Sequence, residues 1–224
     1  MAAALSPHRG GRPRVHALGE AALLIEMGSR LDTALNSRVL ALAAALSRRP
    51  GVLEAVPGLA GVTVHYDPDR VDAAALAAAV ARLAARRPPA GPRGRLHRIP
   101  AVYDGPDLDE VGRRLGLPPE RVVAVHSGAI YRVFMLGFAP GFAYLGPLPP
   151  ELRLPRREVP RRSVPAGSVA IAGGHTAVYP FPTAGVWHLI GRTSLPLLMP
   201  EADPPALLRP GDRVRFTPVL AGPA

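Results

Sequence analysis

One stretch, Pro88-Pro89-Ala90-Gly91-Pro92-Arg93-Gly94, constrains this chain more than any other. Proline fixes φ and lacks an N–H, and glycine disfavours regular structure, so no helix or central strand runs through it. It predicts a linker over 88–94 between an α+β domain at 14–87 and a second domain at 95–224, with a flexible N-terminal tail at 1–13.

Before the linker the hydrophobic pattern changes period twice. Val15 to Leu18 and Ala22 to Met27 flank Gly19-Glu20 and read as a hairpin. Ser29 and Asp32 match a Ser-x-x-acid cap, and Leu31, Leu35, Val39, Leu42 and Leu46 then follow helical spacing until Pro50-Gly51. Val52 to Val56, Pro57-Gly58 and the alternating Val62, Val64 and Tyr66 give a second hairpin. Asp72 is placed to cap a second helix, with Leu76, Val80 and Leu83 as its buried stripe and Val71 as a staple. The order is ββαββα, an α/β sandwich of ferredoxin-like character.

After the linker the elements shorten. Leu96 to Tyr103 reads as a strand, and Leu108–Leu115 and Pro119–His126 as short helices. Tyr131–Leu136, Ser168–Ala172, Trp187–Thr193 and Val214–Pro218 are extended, punctuated by glycine and proline, which points to a closed β-barrel. Six prolines between Pro147 and Pro165 predict an extended surface arm carrying Arg153, Arg156, Arg157, Arg161 and Arg162. Those arginines are either solvated or bind an anion or a partner.

Composition then removes several functions. There is no cysteine, hence no disulfide, thiolate nucleophile or Cys-type zinc site. The net charge of +10 comes entirely from arginine, scattered as singles and pairs without an aromatic-interleaved stripe, which argues against nucleic-acid binding. No phosphate-binding Gly-x-x-x-x-Gly-Lys loop exists in a chain without lysine, no Gly-x-Ser-x-Gly elbow is present, and the seven histidines show no metal-binding pair. With no apolar run long enough to span a bilayer and no leader pattern, a cytoplasmic protein is the expectation.

The segment Tyr131 to Gly146 (Tyr-Arg-Val-Phe-Met-Leu-Gly-Phe-Ala-Pro-Gly-Phe-Ala-Tyr-Leu-Gly) resembles the most characteristic stretch of a known family. Val164 to Pro180, Trp187 to Thr193 and Pro210 to Phe216 resemble further signatures of it, in the same order. The family is that of the B-type component of 5-oxoprolinase, also called KipI-like, allophanate hydrolase subunit 1 or carboxyltransferase domain subunit 1. The resemblance covers about residues 14–218 and departs at His175, where the family usually has Gln, and at Ala143, Ala177, Val178, Ala184 and Val186. It implies a cyclophilin-like β-barrel in the second half. It also implies a subunit inactive alone, partnered by a C-type subunit (KipA-like, allophanate hydrolase subunit 2) and an A-type subunit (LamB-like). The assembled complex would use ATP with Mg to open 5-oxo-L-proline to L-glutamate. The alternatives the family leaves open are a regulatory module inhibiting a sensor histidine kinase, and action on another amide such as allophanate or a urea derivative.

Read as chemistry, Gly173-Gly174-His175-Thr176 offers consecutive backbone N–H groups beside an imidazole and a hydroxyl, suited to a carboxylate or a developing oxyanion. His175 and Thr176 are therefore the catalytic candidates, His175 as a proton carrier, although a His beside a Gly pair is more often a turn residue. Phe138, Phe142, Tyr144, Tyr179 and Trp187 either wall a pocket or pack a barrel corner. Arg132 and Arg192, in strands, need a partner or solvent, and a substrate carboxylate suits either. His126, at a helix end, is a cap or a further pocket residue.

Overall fold

A computed structural model describes residues 13–85 and 94–220. The linker at 88–94, save Gly94, and the tail at 1–13, save Pro13, lie outside the described residues. The chain forms two compact units to either side of that stretch.

In the first unit, β1 (Arg14–Ala17) and β2 (Ala22–Glu26) form the first hairpin, followed by α1 (Thr33–Leu46), β3 (Val52–Pro57), β4 (Gly61–Tyr66) and α2 (Ala73–Ala84). The sheet order is β1-β2-β4-β3, every neighbour antiparallel. β4 thus lies between β2 and β3, the split arrangement of ferredoxin-like sandwiches. Alternate residues Leu23 and Ile25 of β2 and Val62, Val64 and Tyr66 of β4 face one side, where they meet Val39, Leu42 and Leu46 of α1 and Leu76 and Val80 of α2. Burying each such aliphatic side chain contributes about 1.5–3 kcal/mol. Asp72 caps α2 as expected, accepting from the Ala75 N–H at 2.7 Å. The cap of α1 is Asp32 rather than Ser29: its carboxylate accepts from the Leu35 N–H at 2.6 Å, which leaves Leu31 ahead of the helix. A carboxylate at the N-cap also opposes the positive helix end, so it serves well as the cap itself.

The second unit runs β5 (Leu96–Ala101), α3 (Leu108–Leu115), α4 (Pro119–Gly128), β6 (Tyr131–Leu136), β7 (Ala143–Gly146), β8 (Arg161–Val164), β9 (Ser168–Ala172), β10 (His175–Val178), β11 (Thr183–Gly185), β12 (His188–Arg192) and β13 (Arg213–Pro218). Seven strands form one sheet in the order β12-β9-β10-β7-β6-β13-β5. Only the β13–β5 pair is parallel. The two edges are brought together by a bridge in which Val102 and Arg192 exchange both backbone hydrogen bonds at 2.8 Å. The barrel is therefore nearly closed, and glycine sits where its backbones cross: a Cβ on Gly191 would lie 2.4 Å from the Val102 carbonyl oxygen. The α+β expectation, a ferredoxin-like sandwich followed by a barrel, is what the structure has.

Several short strands escape a reading of the sequence. β7, β10 and β11 are three or four residues each and sit among glycines and prolines. The Pro147–Pro165 arm is not wholly irregular either. It holds a single 3-10 turn, Pro150–Leu152, and ends in β8, which pairs with β11 as a separate ribbon.

The strands β9, β10 and β12 are buried on both faces, and β9 is covered at all five positions. Val169 and Ile171 join the interior with Tyr131, Val133, Leu145, Val178, Ile190, Val214 and Phe216. Ala170 and Ala172, pointing the other way, join Val164, Ala177, Phe142, Tyr179, Trp187 and Leu189 on the outer face. Valine and isoleucine fill the barrel, while alanine leaves room outside for large rings. That alternation positions the site.

Candidate functional site

Two groupings of polar and aromatic side chains emerge, one on each face of the same strand. Successive residues of a strand point oppositely, so His175 and Thr176 of β10 separate.

Thr176 faces inward and is fully buried. Its hydroxyl donates to the Ala170 carbonyl at 3.0 Å and therefore accepts from His126 Nε2 at 2.8 Å, since the carbonyl can only accept. The same tautomer makes His126 Nδ1 an acceptor for the Tyr103 hydroxyl at 2.7 Å, while Tyr131 donates to the His126 carbonyl at 2.7 Å. The His126 ring also packs 4.7 Å from Phe216. A residue that meets β6, β10 and β13 at once stands inside the barrel. Burial drives its pKa down to about 3, so it is neutral, and burial raises the Tyr103 and Tyr131 hydroxyls. Thr176 and His126 were expected at a substrate site; the structure places both in a closed interior network where every polar atom has a partner.

His175 faces outward onto a cluster of rings. Phe142 is the hub, with ring centroids 5.2 Å from Phe138, Tyr144 and Tyr179 and 5.6 Å from Trp187, all edge to face. His175 stacks on Trp187 at 6.4 Å and meets Tyr144 edge-on at 5.6 Å. Its Nδ1 is shut from solvent and has no hydrogen-bond partner among the described residues. Burial lowers the pKa of His175, and the positive charge of Arg156 lowers it further, so the imidazole is neutral at neutral pH. Burial raises the Tyr144 and Tyr179 hydroxyls, opposed in both by Arg156. Tyr179 reaches across Gly185, where a Cβ would collide with its hydroxyl at 2.4 Å. Phe138 closes one side: it is 62% exposed and holds a left-handed φ of 72°. That conformation is costly for a residue with a Cβ and marks functional segments.

Gly173 and Gly174 form the turn joining β9 to β10, Gly173 with φ 57°. The anion cradle expected there is short of a donor, because the Gly173 N–H is held by the Leu154 carbonyl at 2.6 Å. The Gly174 carbonyl accepts from the Leu148 N–H. Arg192 does not join the ring cluster. It lies at the barrel closure, 62% exposed, in a two-pronged pair with Asp104 at 2.8 and 2.9 Å. Arg132 sits on β6 opposite Gly146 and Arg213, half-buried, its pKa lowered by burial.

Asp107 carried no signal in the sequence, and Arg156 none that set it apart from the rest of its arm. Asp107, 3% exposed, accepts from the Leu189 N–H at 2.7 Å, Arg157 Nη1 at 3.1 Å and Arg161 Nη2 at 2.6 Å. It anchors the arginine arm onto the barrel. Arg156, between anchored neighbours, is the cation acting on His175 and Tyr144 and, after Arg161, on Tyr179. Among the described residues, no group of His, Asp or Glu is arranged to hold a metal ion, and no helix is long and apolar enough to cross a membrane.

A nearly closed barrel bearing a cluster of aromatic rings and an imidazole on its outer face, preceded by an α/β sandwich, defines the class: residues 13–208 match the carboxyltransferase domain, subdomain C and D. The chain is 44% identical over 215 residues to the B-type component of 5-oxoprolinase from Escherichia coli O157:H7, covering 94% of this chain and 98% of that one. It is 38% identical to the corresponding 5-oxoprolinase component of Bacillus subtilis strain 168, covering 92% of each. The chain belongs to this family of B-type 5-oxoprolinase components. Among solved structures, TTHA0988 aligns with a TM-score of 0.80 at 43% identity over 90% of this chain, which spans only 40% of that longer one. The Kluyveromyces lactis urea carboxylase, at 20% identity, TM-score 0.73, 92% of this chain and 22% of its own, shares the fold.

Proposed function

We propose that this chain is the B-type component of an ATP-dependent 5-oxoprolinase complex, contributing its outer-face cleft to a site completed by a C-type subunit and served by an A-type subunit. The observation that carries this reading is His175: a neutral imidazole stacked on Trp187, with a nitrogen that has no partner among the described residues. That nitrogen is covered in the free chain, so on this reading the ring cluster parts on binding and a substrate supplies the missing polar hydrogen. A lactam does so through its N–H, and its flat ring fits against Trp187 and Tyr144. Opening the ring adds water across the C–N bond, giving the carboxylate and amine of glutamate. On this reading His175 takes a proton from that water or holds the lactam N–H, and either role needs the neutral ring. ATP with Mg drives the ring opening in the assembled complex, and the chain by itself has no turnover.

The test is 5-oxoproline-dependent ATP hydrolysis with glutamate release, measured for this chain alone and with its A-type and C-type partners. Activity is expected only in the mixture. His175→Ala should then lower turnover by roughly 100-fold or more, the usual contribution of a positioned acid or base. Folded partners without activity would overturn the substrate assignment and favour another amide or the kinase-inhibiting role. Full activity of His175→Ala would overturn the site.

A further inference from the structure

We propose that Arg156 binds the carboxylate of the substrate, with Asp107 as the positioning residue that holds its arm over the ring cluster. The inference rests on the cleft around His175 being the substrate site. Four other arginines of the arm and the barrel closure are engaged. Arg157 and Arg161 are on Asp107, Arg192 is on Asp104, and Arg153 donates to the Leu148 carbonyl. Arg156 has no carboxylate within ion-pair distance among the described residues.

Its backbone is nevertheless held on both sides. The Leu154 carbonyl accepts from the Gly173 N–H at 2.6 Å, and the Pro155 carbonyl accepts from His188 Nε2 at 3.0 Å. On the far side the Arg157 N–H donates to the Val186 carbonyl at 2.8 Å, one residue before Trp187. The arm is thereby fastened to the β9–β10 turn that precedes His175 and to the segment that carries Trp187. A side chain between those anchors has its charge next to the cleft, consistent with its action on Tyr144, His175 and Tyr179. A guanidinium fork beside a ring platform and a neutral imidazole matches a small planar amide bearing one carboxylate.

Trp187 is the chain's only tryptophan, so its fluorescence reports on this cleft without labelling. The experiment titrates 5-oxo-L-proline and 2-pyrrolidone, the same lactam without the carboxylate, into wild type, Arg156→Gln, Arg156→Lys and Arg162→Gln. The same four chains are assayed for KM and kcat in the assembled complex. Wild type should prefer 5-oxo-L-proline. Arg156→Gln should weaken its binding and raise KM by roughly 10- to 100-fold, while 2-pyrrolidone is unaffected. Arg156→Lys should recover part of the loss, and Arg162→Gln should match wild type. Equal affinity of wild type and Arg156→Gln for 5-oxo-L-proline would overturn the proposal and leave the cleft assignment standing. A wild type that does not respond at tens of millimolar and an unchanged KM in Arg156→Gln would overturn it as well. Carboxylate-dependent quenching without turnover in the complex would instead uphold Arg156 and count against 5-oxoproline hydrolysis.

Discussion

His126 Nε2 donates to Thr176 Oγ1 at 2.8 Å across the barrel interior, fifty residues apart in sequence. Thr176 donates its own hydroxyl hydrogen bond to the Ala170 carbonyl, so it is the middle of a chain that begins at the Tyr103 hydroxyl. Thr176→Val keeps the shape and removes both links. Each buried group left without a partner costs about 1–3 kcal/mol, so the variant should lose at least that much stability in a urea titration. A midpoint equal to wild type would mean that the network contributes nothing to stability.

The neutrality of His126 makes folding depend on pH. Its folded pKa is pushed down to about 3 by burial, below its ordinary value of roughly 6.5. The unfolded chain therefore binds a proton between those limits that the folded chain refuses. The stabilisation is complete above about 6.5 and falls as pH drops towards about 3, with a limiting slope of about 1.4 kcal/mol per pH unit. Stability measured at pH 7, 5.5 and 4.5 should show that slope in wild type and a shallower one in His126→Asn. Parallel profiles would count against the assignment.

Asp107 is the counter-charge for two guanidiniums, and Arg157 Nε and Arg161 Nη1 already lack partners. Asp107→Asn should cost about 2 kcal/mol, less than the roughly 3–5 kcal/mol of a wholly buried broken pair because the two arginine side chains are 23% and 24% exposed. The arm should also become more open to protease between Arg153 and Arg162. A variant as stable and as protease-resistant as wild type would show that the arm is held by its backbone bonds alone.

Phe138 separates stability from binding. With φ at 72°, glycine in its place relieves a left-handed conformation that disfavours any Cβ by about 1–2 kcal/mol, whereas alanine keeps the strain. Phe138→Gly should therefore be more stable than Phe138→Ala by about 1 kcal/mol, while both weaken ligand quenching of Trp187. Two variants of equal stability would show that the conformation carries no strain.

Much of this architecture is written locally. The period-two and helical stripes of residues 15–83 specify ββαββα because each element needs one apolar face and each cap needs one side chain. The end of α3 and the start of α4 follow from Gly116 in its left-handed conformation and from Pro119. The aromatic residues of the outer-face cluster were likewise visible as a set among glycines, but a wall for a pocket and the packing of a barrel corner read alike in sequence. Tertiary structure decided the rest. β7, β10 and β11 are too short to carry a period, and they are strands only because neighbours supply their hydrogen bonds. The strand at β10 then sent His175 to the ring cluster and Thr176 into the core. Arg192 went to Asp104 and Arg157 and Arg161 to Asp107, leaving Arg156 beside the rings. An ion pair between residues fifty or more positions apart leaves no mark on the sequence, because its energy depends on a distance that only the closed barrel sets.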